Sequence, residues 1–397
     1  MANFDLNKIQ SILKDMNIDA WLFYDFRRSN DLAHEILDIS PNAHFTRRFY
    51  YFVPQSGEPV KIINGIEAFN LDHLPGKKLM YSSRTSLADH LKETLSGAKK
   101  IAMEYSPMNA IPYVAKADAG TIEFVKSFGV EIVSSADLIS MFGARWTMEQ
   151  YEENRPVANA VHEIAHEAFD YIAENFRAGK TLNEYQVQQF ILEQFDKRGY
   201  FTDHPPIVGV NENGANPHYE PTAEVNKEIK EGDFVLIDLW AKPNHERGTW
   251  SDITWTGYMG SEVPEKYIKV ANIVFEARDK AFNLIKERFA DGKEVRGYEA
   301  DRIARDHIKS HHYGEYFIHR TGHSITTELH GSGAHLDDFE TKDERLLLPL
   351  TSFSIEPGIY IKGDFGVRSE IDVFVTEDGD VIATGGERQY EIIPILK

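Results

Sequence analysis

Four stretches of this chain read as buried strands, and each carries a carboxylate where an apolar side chain belongs. Phe234-Val235-Leu236-Ile237-Asp238-Leu239-Trp240 follows the turn signal Gly232-Asp233 and is apolar except at Asp238. Trp250-Ser251-Asp252-Ile253-Thr254-Trp255-Thr256 is strand-like around Asp252. Phe353-Ser354-Ile355-Glu356-Pro357-Gly358-Ile359-Tyr360-Ile361 sets Glu356 beside a proline, which cannot donate to a ladder, so an interruption is expected there. Gly366-Val367-Arg368-Ser369-Glu370-Ile371-Asp372-Val373 alternates strictly and predicts one strand with Arg368, Glu370 and Asp372 on one face. Taken singly, each has a plain reading: an Asp caps a turn, or a charged strand face meets water. Taken together they do not, because a buried carboxylate must be protonated or met by a cation, a metal or dense hydrogen bonding.

Histidine supplies a partner. His319-Arg320-Thr321-Gly322-His323 is followed by His330, and Gly322 predicts a turn that releases His323 at a bend. Four carboxylates and one imidazole could hold two divalent ions with the charge nearly balanced. Such an oxygen-rich set suits Mn²⁺, Co²⁺, Fe²⁺ or Zn²⁺. Two ions about 3.5–4 Å apart acidify a shared water and clamp a tetrahedral intermediate. A competing motif is His162-Glu163-Ile164-Ala165-His166, which matches the zinc-protease pattern, with Glu184 as a candidate third ligand. Glu152, Glu153, Glu163, Glu167 and Glu174 surround it, so the segment reads as a solvated helix face.

Composition narrows the class. The net charge of −20 argues against a nucleic-acid binder, which needs a basic face. The chain has no cysteine, which excludes disulfides, thiolate metal sites and a cysteine nucleophile. The opening MANFDLNKIQ has no basic-then-apolar leader, and no apolar run approaches the ~18 residues of a membrane span. A cytoplasmic protein is expected.

The fold class expected is mixed α/β in two domains, 1–148 and 149–397. The first reads as a helix (4–16), a strand at 21–26, a hairpin over 48–64, and strands at 101–105 and 129–133 with helices between. A long helix then ends at Arg177-Ala178-Gly179-Lys180. Thr181 with Glu184 predicts a capping box for the next helix, which runs to Arg198. Strands with Gly and Pro punctuation follow, interrupted by helices near 264–288 and 297–310.

The strings VLIDLWA, SDITWT, HRTGHSITTELH, SIEPGIY and GVRSEID, in this order, resemble the pita-bread metallopeptidase family of methionine aminopeptidase, aminopeptidase P and prolidase. The resemblance covers roughly residues 150–397. It implies a pita-bread catalytic domain behind a creatinase/prolidase-like N-terminal domain. It implies two metal ions, manganese first, on Asp238, Asp252, His323, Glu356 and Glu370, with Asp252 and Glu370 bridging them. It further implies a metal-bridging hydroxide as nucleophile, Glu356 as proton shuttle, and His330 on the scissile carbonyl. His319 and His218 match further active-site histidines. Arg368 matches an arginine beside the bridging Glu, as a partner of the ligands or a contact for substrate carboxylate. The N-terminal domain directs the reading to a peptide substrate with proline second, to Xaa-Pro dipeptidase before aminopeptidase P, and to a homodimer. A same-fold lyase and a non-catalytic binding protein are the remaining alternatives. The departures are a longer segment between the two Asp ligands, Trp240 where Gly is usual, Trp255 where Arg is common, and Gly331 after His330 where an acid is usual. They bear on pocket shape and remove no ligand.

Overall fold

The computed structural model describes residues 4–397, so the first three residues of the leader reading lie outside it. The chain divides into two compact units, one ending at Gly143 and one running from Ala144 to Lys397.

The first unit is an open sheet flanked by helices. In chain order it holds α1 (Leu6–Asp15), β1 (Ala20–Asp25), α2 (Asp31–Ile36), β2 (Phe49–Pro54), β3 (Val60–Asn64) and β4 (Lys77–Tyr81). There follow α3 (Arg84–Thr94), β5 (Lys100–Met103), α4 (Ala119–Lys126), β6 (Glu131–Ser134) and α5 (Ala136–Gly143). The strand order is β4-β3-β2-β1-β5-β6. β1 is buried along its whole length because both faces of the sheet are covered, which is why Trp21-Leu22-Phe23-Tyr24 is continuously apolar rather than alternating. Trp21 and Phe23 pack into one core, Leu22 and Tyr24 into the other.

The second unit begins with α6 (Met148–Arg177), capped by a reciprocal Thr147–Gln150 pair. Val157, Val161, Ile164, Ala165, Ala168 and Ile172 recur at helical spacing and bury one stripe. Fully burying each large aliphatic among them contributes about 1.5–3 kcal/mol. The next helix, α7 (Glu184–Arg198), is capped by Asn183 with Gln186, not by Thr181 with Glu184. Glu184 is instead the first helical residue. It is fully buried and accepts from the backbone of Val210 and Lys227, from Asn213 and from the Tyr219 hydroxyl.

β7 (Tyr200–Phe201), β8 (Ile207–Val210), β9 (Phe234–Pro243) and β10 (Ser251–Tyr258) come next, then α8 (Glu265–Ala290) and α9 (Gly297–Ser310). The remaining strands are β11 (Ser324–Ile325), β12 (Ser352–Ile355), β13 (Gly358–Ile361), β14 (Phe365–Arg368), β15 (Ile371–Val375), β16 (Val381–Ala383) and β17 (Ile393–Pro394). They build a sheet around β9 and β10, a second sheet in the order β11-β12-β15-β16, and the β13–β14 hairpin. α6 and α7 pack on the first sheet, α8 and α9 on the second sheet and the hairpin. Each sheet is thus apolar toward its helices, and the polar residues of the strands face one another.

Candidate metal centre

Register puts the acids together. β9 and β10 pair antiparallel with Asp238 opposite Thr254 and Trp240 opposite Asp252, so all four share a face. The opposite face of the same strands carries Ile237, Leu239, Ile253 and Trp255 into the helix-covered core. On the second sheet, β12 ends at Ile355 and β13 restarts at Gly358, leaving Glu356-Pro357 in the gap. The single strand expected over 366–373 is broken: β14 ends at Arg368 and β15 begins at Ile371, with Ser369 and Glu370 between. The break arises because β14 pairs with β13 while β15 pairs with β12. Side chains of Arg368, Glu370 and Asp372 nonetheless reach β10, and none lies on a solvated face.

Gly322 does not make the expected turn. A Cβ there would lie 2.0 Å from the carbonyl oxygen of Ser354, so glycine is required for close passage against β12. That passage delivers His323, whose backbone N–H donates to Ser354 Oγ at 3.0 Å.

Ligand atoms of Asp252, His323 and Glu370 all lie within 4.8 Å of one another, and all three residues are buried. His323 Nδ1–H donates to the Ser324 carbonyl at 3.2 Å, which fixes the tautomer and turns the Nε2 lone pair outward. Nε2 stands 3.6 Å from Asp252 Oδ2 and 3.5 Å from Glu356 Oε1. Asp238 joins through Arg368, which forms an ion pair with it. Arg368 also donates to Thr254 Oγ1 at 2.9 Å and to the Tyr360 hydroxyl at 3.2 Å. Thr254 passes the interaction on, donating to Glu370 Oε2 at 2.7 Å. Asp372 accepts the backbone N–H of Asp252 at 2.7 Å and holds that strand in place.

The electrostatics are one-sided. Burial and neighbouring carboxylates hold Asp252 and Glu370 well above the usual carboxylate range. Burial also raises Asp238, against the pull of Arg368, and pushes Glu356 up to about 7. Asp238 Oδ1 and Asp252 Oδ1 are buried with no hydrogen-bond partner among the described residues. Crowded carboxylates with orphaned oxygens, facing an imidazole lone pair, fit divalent cations.

Neutral imidazoles line the rest. Burial lowers His330 to about 4, and its ring lies 4.2 Å from that of His323, centroid to centroid. Burial lowers His319 to about 3; its Nδ1–H donates to the Arg320 carbonyl and its Nε2 accepts from Tyr360 at 2.7 Å. The exposed His218 lies close enough to act electrostatically on both Asp238 and His330. Thr254, Tyr360 and the buried Arg320 belong to this region but carried no signal in the sequence reading; threonine and tyrosine in a strand are ordinary. The HEIAH segment is elsewhere. His162 and His166 pack edge-on against Trp255 on its helix side, and His162 bonds the Glu387 carbonyl at 2.8 Å. Glu184, the third ligand such a site would take, already accepts from four residues.

Residues 158–377 match the model of metallopeptidase family M24. Over 183 residues the chain is 37% identical to the Xaa-Pro dipeptidase of Pyrococcus furiosus, covering 46% of this chain and 48% of that protein. The chain spans about half the length of the first curated relatives it matches. Across 98% of this chain and 97% of the other it superposes on a prolidase from Thermococcus sibiricus with a TM-score of 0.63 at 24% identity. It also superposes on an X-Pro aminopeptidase from Thermotoga maritima with a TM-score of 0.56 at 22% identity, covering 98% and 99% of the two chains. Those likenesses establish the fold.

Proposed function

The chain belongs to metallopeptidase family M24, and from that membership we propose that its centre hydrolyses the bond between an N-terminal residue and proline, in dipeptides. Asp238, Asp252, His323, Glu356 and Glu370 would hold two divalent ions. The observation that carries this reading is the buried cluster of Asp252, His323 and Glu370, with Asp252 Oδ1 and the neighbouring Asp238 Oδ1 left without a partner among the described residues. A divalent ion there supplies Lewis acidity, polarising the scissile carbonyl and bringing the pKa of a water toward about 7. Mostly hard oxygen donors with one imidazole favour manganese, with cobalt, zinc or iron as substitutes.

The chain's own groups do the rest. Glu356 would take the proton of the attacking water and pass it to the proline nitrogen as the C–N bond breaks. Neutral His330 donates an N–H to the carbonyl oxygen as charge develops on it. Tyr360 and the Arg320 carbonyl take both ring nitrogens of His319, which favours a positioning role for it through Tyr360. Arg368 spends its donors on Asp238, Thr254 and Tyr360, which favours a positioning role over contact with the substrate carboxylate. His218 would meet the substrate at the open side.

Trp240 supports the dipeptide form. It is on the Asp238 face of β9, only 9% exposed, and its Nε1–H donates to Asp203 Oδ1 at 2.9 Å, so an indole walls that side of the site. Among the described residues no helix is long and apolar enough to cross a membrane. We extend the reading to a cytoplasmic homodimer.

The test is hydrolysis by metal-free protein reloaded with Mn²⁺, Co²⁺ or Zn²⁺. The substrates are Xaa-Pro dipeptides, Xaa-Pro-Yaa tripeptides and matched Xaa-Ala controls. Metal-dependent cleavage of the Xaa-Pro dipeptides alone is expected. Cleavage of the tripeptides would make the activity that of an aminopeptidase, and no cleavage by the metal-loaded protein would end the peptidase reading.

A further inference from the structure

The N-terminal unit contains a cavity whose charge runs against that of the chain. The whole chain carries −20, yet residues 1–143 are close to balance, with 15 Lys and Arg against 17 Asp and Glu. A cavity of about 770 Å³ in this unit is lined by Arg47, Arg48 and Arg84 and by one acid, Asp118. That volume suits a small-molecule ligand.

Its place in the sheet is the place where open α/β sheets bind ligands. β1 and β3 are each antiparallel to β2 and hence parallel to one another, and β4, β5 and β6 continue that direction. Tyr24, Asn64 and Tyr81 line the cavity from the carboxyl ends of β1, β3 and β4. Strand order grows from β1 out to β4, then restarts on the other side of β1 with β5. The cavity opens outside the carboxyl ends on the β1-to-β4 side of that reversal, with the start of α4, which follows β5, closing its other side.

Two helices begin there. Ser83 Oγ accepts from Ser86 N at the start of α3, and Asp118 Oδ1 from Thr121 N at the start of α4. Each cap meets one N–H of its first turn. Asp118 is otherwise occupied, its Oδ2 accepting from Thr121 Oγ1 at 2.6 Å and from the Tyr24 hydroxyl at 3.3 Å.

The arginines are not. None of the three guanidiniums has a carboxylate within 4.0 Å among the described residues, although Glu67 Oε2 accepts the backbone N–H of Arg47 at 3.2 Å; Arg47 alone donates a side-chain bond, to its neighbour Thr46. Arg48 acts on the phenols of Tyr24, Tyr50 and Tyr81, so its charge faces inward. Tyr50 adds an independent mark. It is fully buried, its hydroxyl has no partner among the described residues, and the charged and phenolic groups acting on it are Tyr24, Arg48, Tyr81 and Asp118, all of which line the cavity. An unmet buried hydroxyl costs about 1–3 kcal/mol. Three guanidiniums less one carboxylate leave two positive charges, which match a phosphate dianion. Phe26, 43% exposed, and Phe124 add apolar surface at the same cavity.

We propose that this cavity binds a small phosphate monoester bearing a ring, a nucleotide in chemical class. The guanidiniums and the first N–H groups of α3 take the phosphate, and the ring lies against Phe26 and Phe124.

Calorimetric titration of the full chain, loaded with Mn²⁺ at low salt, tests it with inorganic phosphate, AMP and adenosine. AMP should bind saturably, at least tenfold tighter than phosphate, and adenosine should not bind. The double variant Arg48→Gln/Arg84→Gln should lose AMP affinity about 100-fold, and Arg84→Gln alone, at an exposed position, about tenfold. Circular dichroism and Xaa-Pro hydrolysis should be unchanged in both, which separates this site from the metal centre. Equal affinity for phosphate and AMP would leave free phosphate as the occupant and refute the ring. Wild-type affinity in the double variant, or no saturable heat with either anion, would overturn the site.

Discussion

Thr254→Val removes one hydroxyl from the centre while keeping shape and volume. Thr254 Oγ1 accepts from Arg368 Nε at 2.9 Å and donates to Glu370 Oε2 at 2.7 Å. The two losses are unequal. Arg368 keeps Tyr360 and Asp238, so its orientation survives. Glu370 loses the hydrogen bond that holds its carboxylate in place. A hydrogen bond to a charged group is worth about 1.5–3 kcal/mol net, which corresponds to roughly 10–100-fold in an equilibrium constant. Outer partners of metal ligands give losses of the same size. Titration of metal-free protein with Mn²⁺, followed by calorimetry, should therefore show affinity 10–100-fold weaker than wild type. The far-UV circular dichroism should not change, because a β-branched side chain of equal size suits this strand position. Affinity within twofold of wild type would show that Glu370 is oriented without Thr254, by its backbone or by Arg368 Nε 3.7 Å from its Oε2, and the assignment of Thr254 as its positioning residue would fail.

Asp252→Ala and Glu370→Ala should each abolish metal-dependent turnover, whereas His162→Ala should leave kcat within twofold; the opposite pattern in a peptidase assay would move the metal site to α6. Gly322→Ala forces a methyl against the Ser354 carbonyl, 2.0 Å away, and should cost about 1–3 kcal/mol of stability along with activity. A wild-type melting temperature for that variant would contradict it. Glu104 tests the N-terminal unit: it is fully buried beneath Trp21 and Asn30, and burial raises its carboxyl to about 7 from an ordinary 4.5. Because the folded pKa is the higher one, its contribution is whole below pH 4.5 and is lost as pH rises through 7, about 3 kcal/mol in all. Urea unfolding at pH 5 and pH 8 should show a stability difference in wild type that shrinks by about 2.5 kcal/mol in Glu104→Gln, since pH 5 already lies above 4.5, and an unchanged difference would refute the buried-charge cost.

How much of this was legible in the sequence depended on how far each residue stood out from its setting. Asp238 and Asp252 interrupt apolar runs, and Glu356 sits beside a proline, so their segments announced an exception before any geometry was known. The helices near 264–288 and 297–310 and the 48–64 hairpin were equally plain, because long helical periods and a Ser56-Gly57 turn are local signals. The capping box was misplaced by two residues because Thr181 and Asn183 both precede a residue able to reciprocate. Tertiary demand decided between them: Glu184 is consumed by the backbone of two distant segments. The continuous strand expected over 366–373 failed for a similar reason. Alternation reports which way side chains point, and it survives a change of pairing partner that splits the ladder.

The residues that hold the centre together were illegible for the converse reason. Thr254 and Tyr360 are common strand residues, and Gly322 next to a histidine reads as a turn. Each matters only because of what lies across from it: Asp238 in register, His319 beside the ring, the Ser354 carbonyl against the missing Cβ. Ligands are chemically costly to bury and so break the pattern; their supports are chemically cheap and keep it. The same asymmetry separates the two histidine motifs. HEIAH matches a ligand pattern in one dimension, but its rings pack on Trp255, and Glu184, the third ligand read for it from the sequence, is already satisfied. Asp252, His323 and Glu370 lie in three separate chain segments, and these converge with Asp252 Oδ1 left without a partner among the described residues.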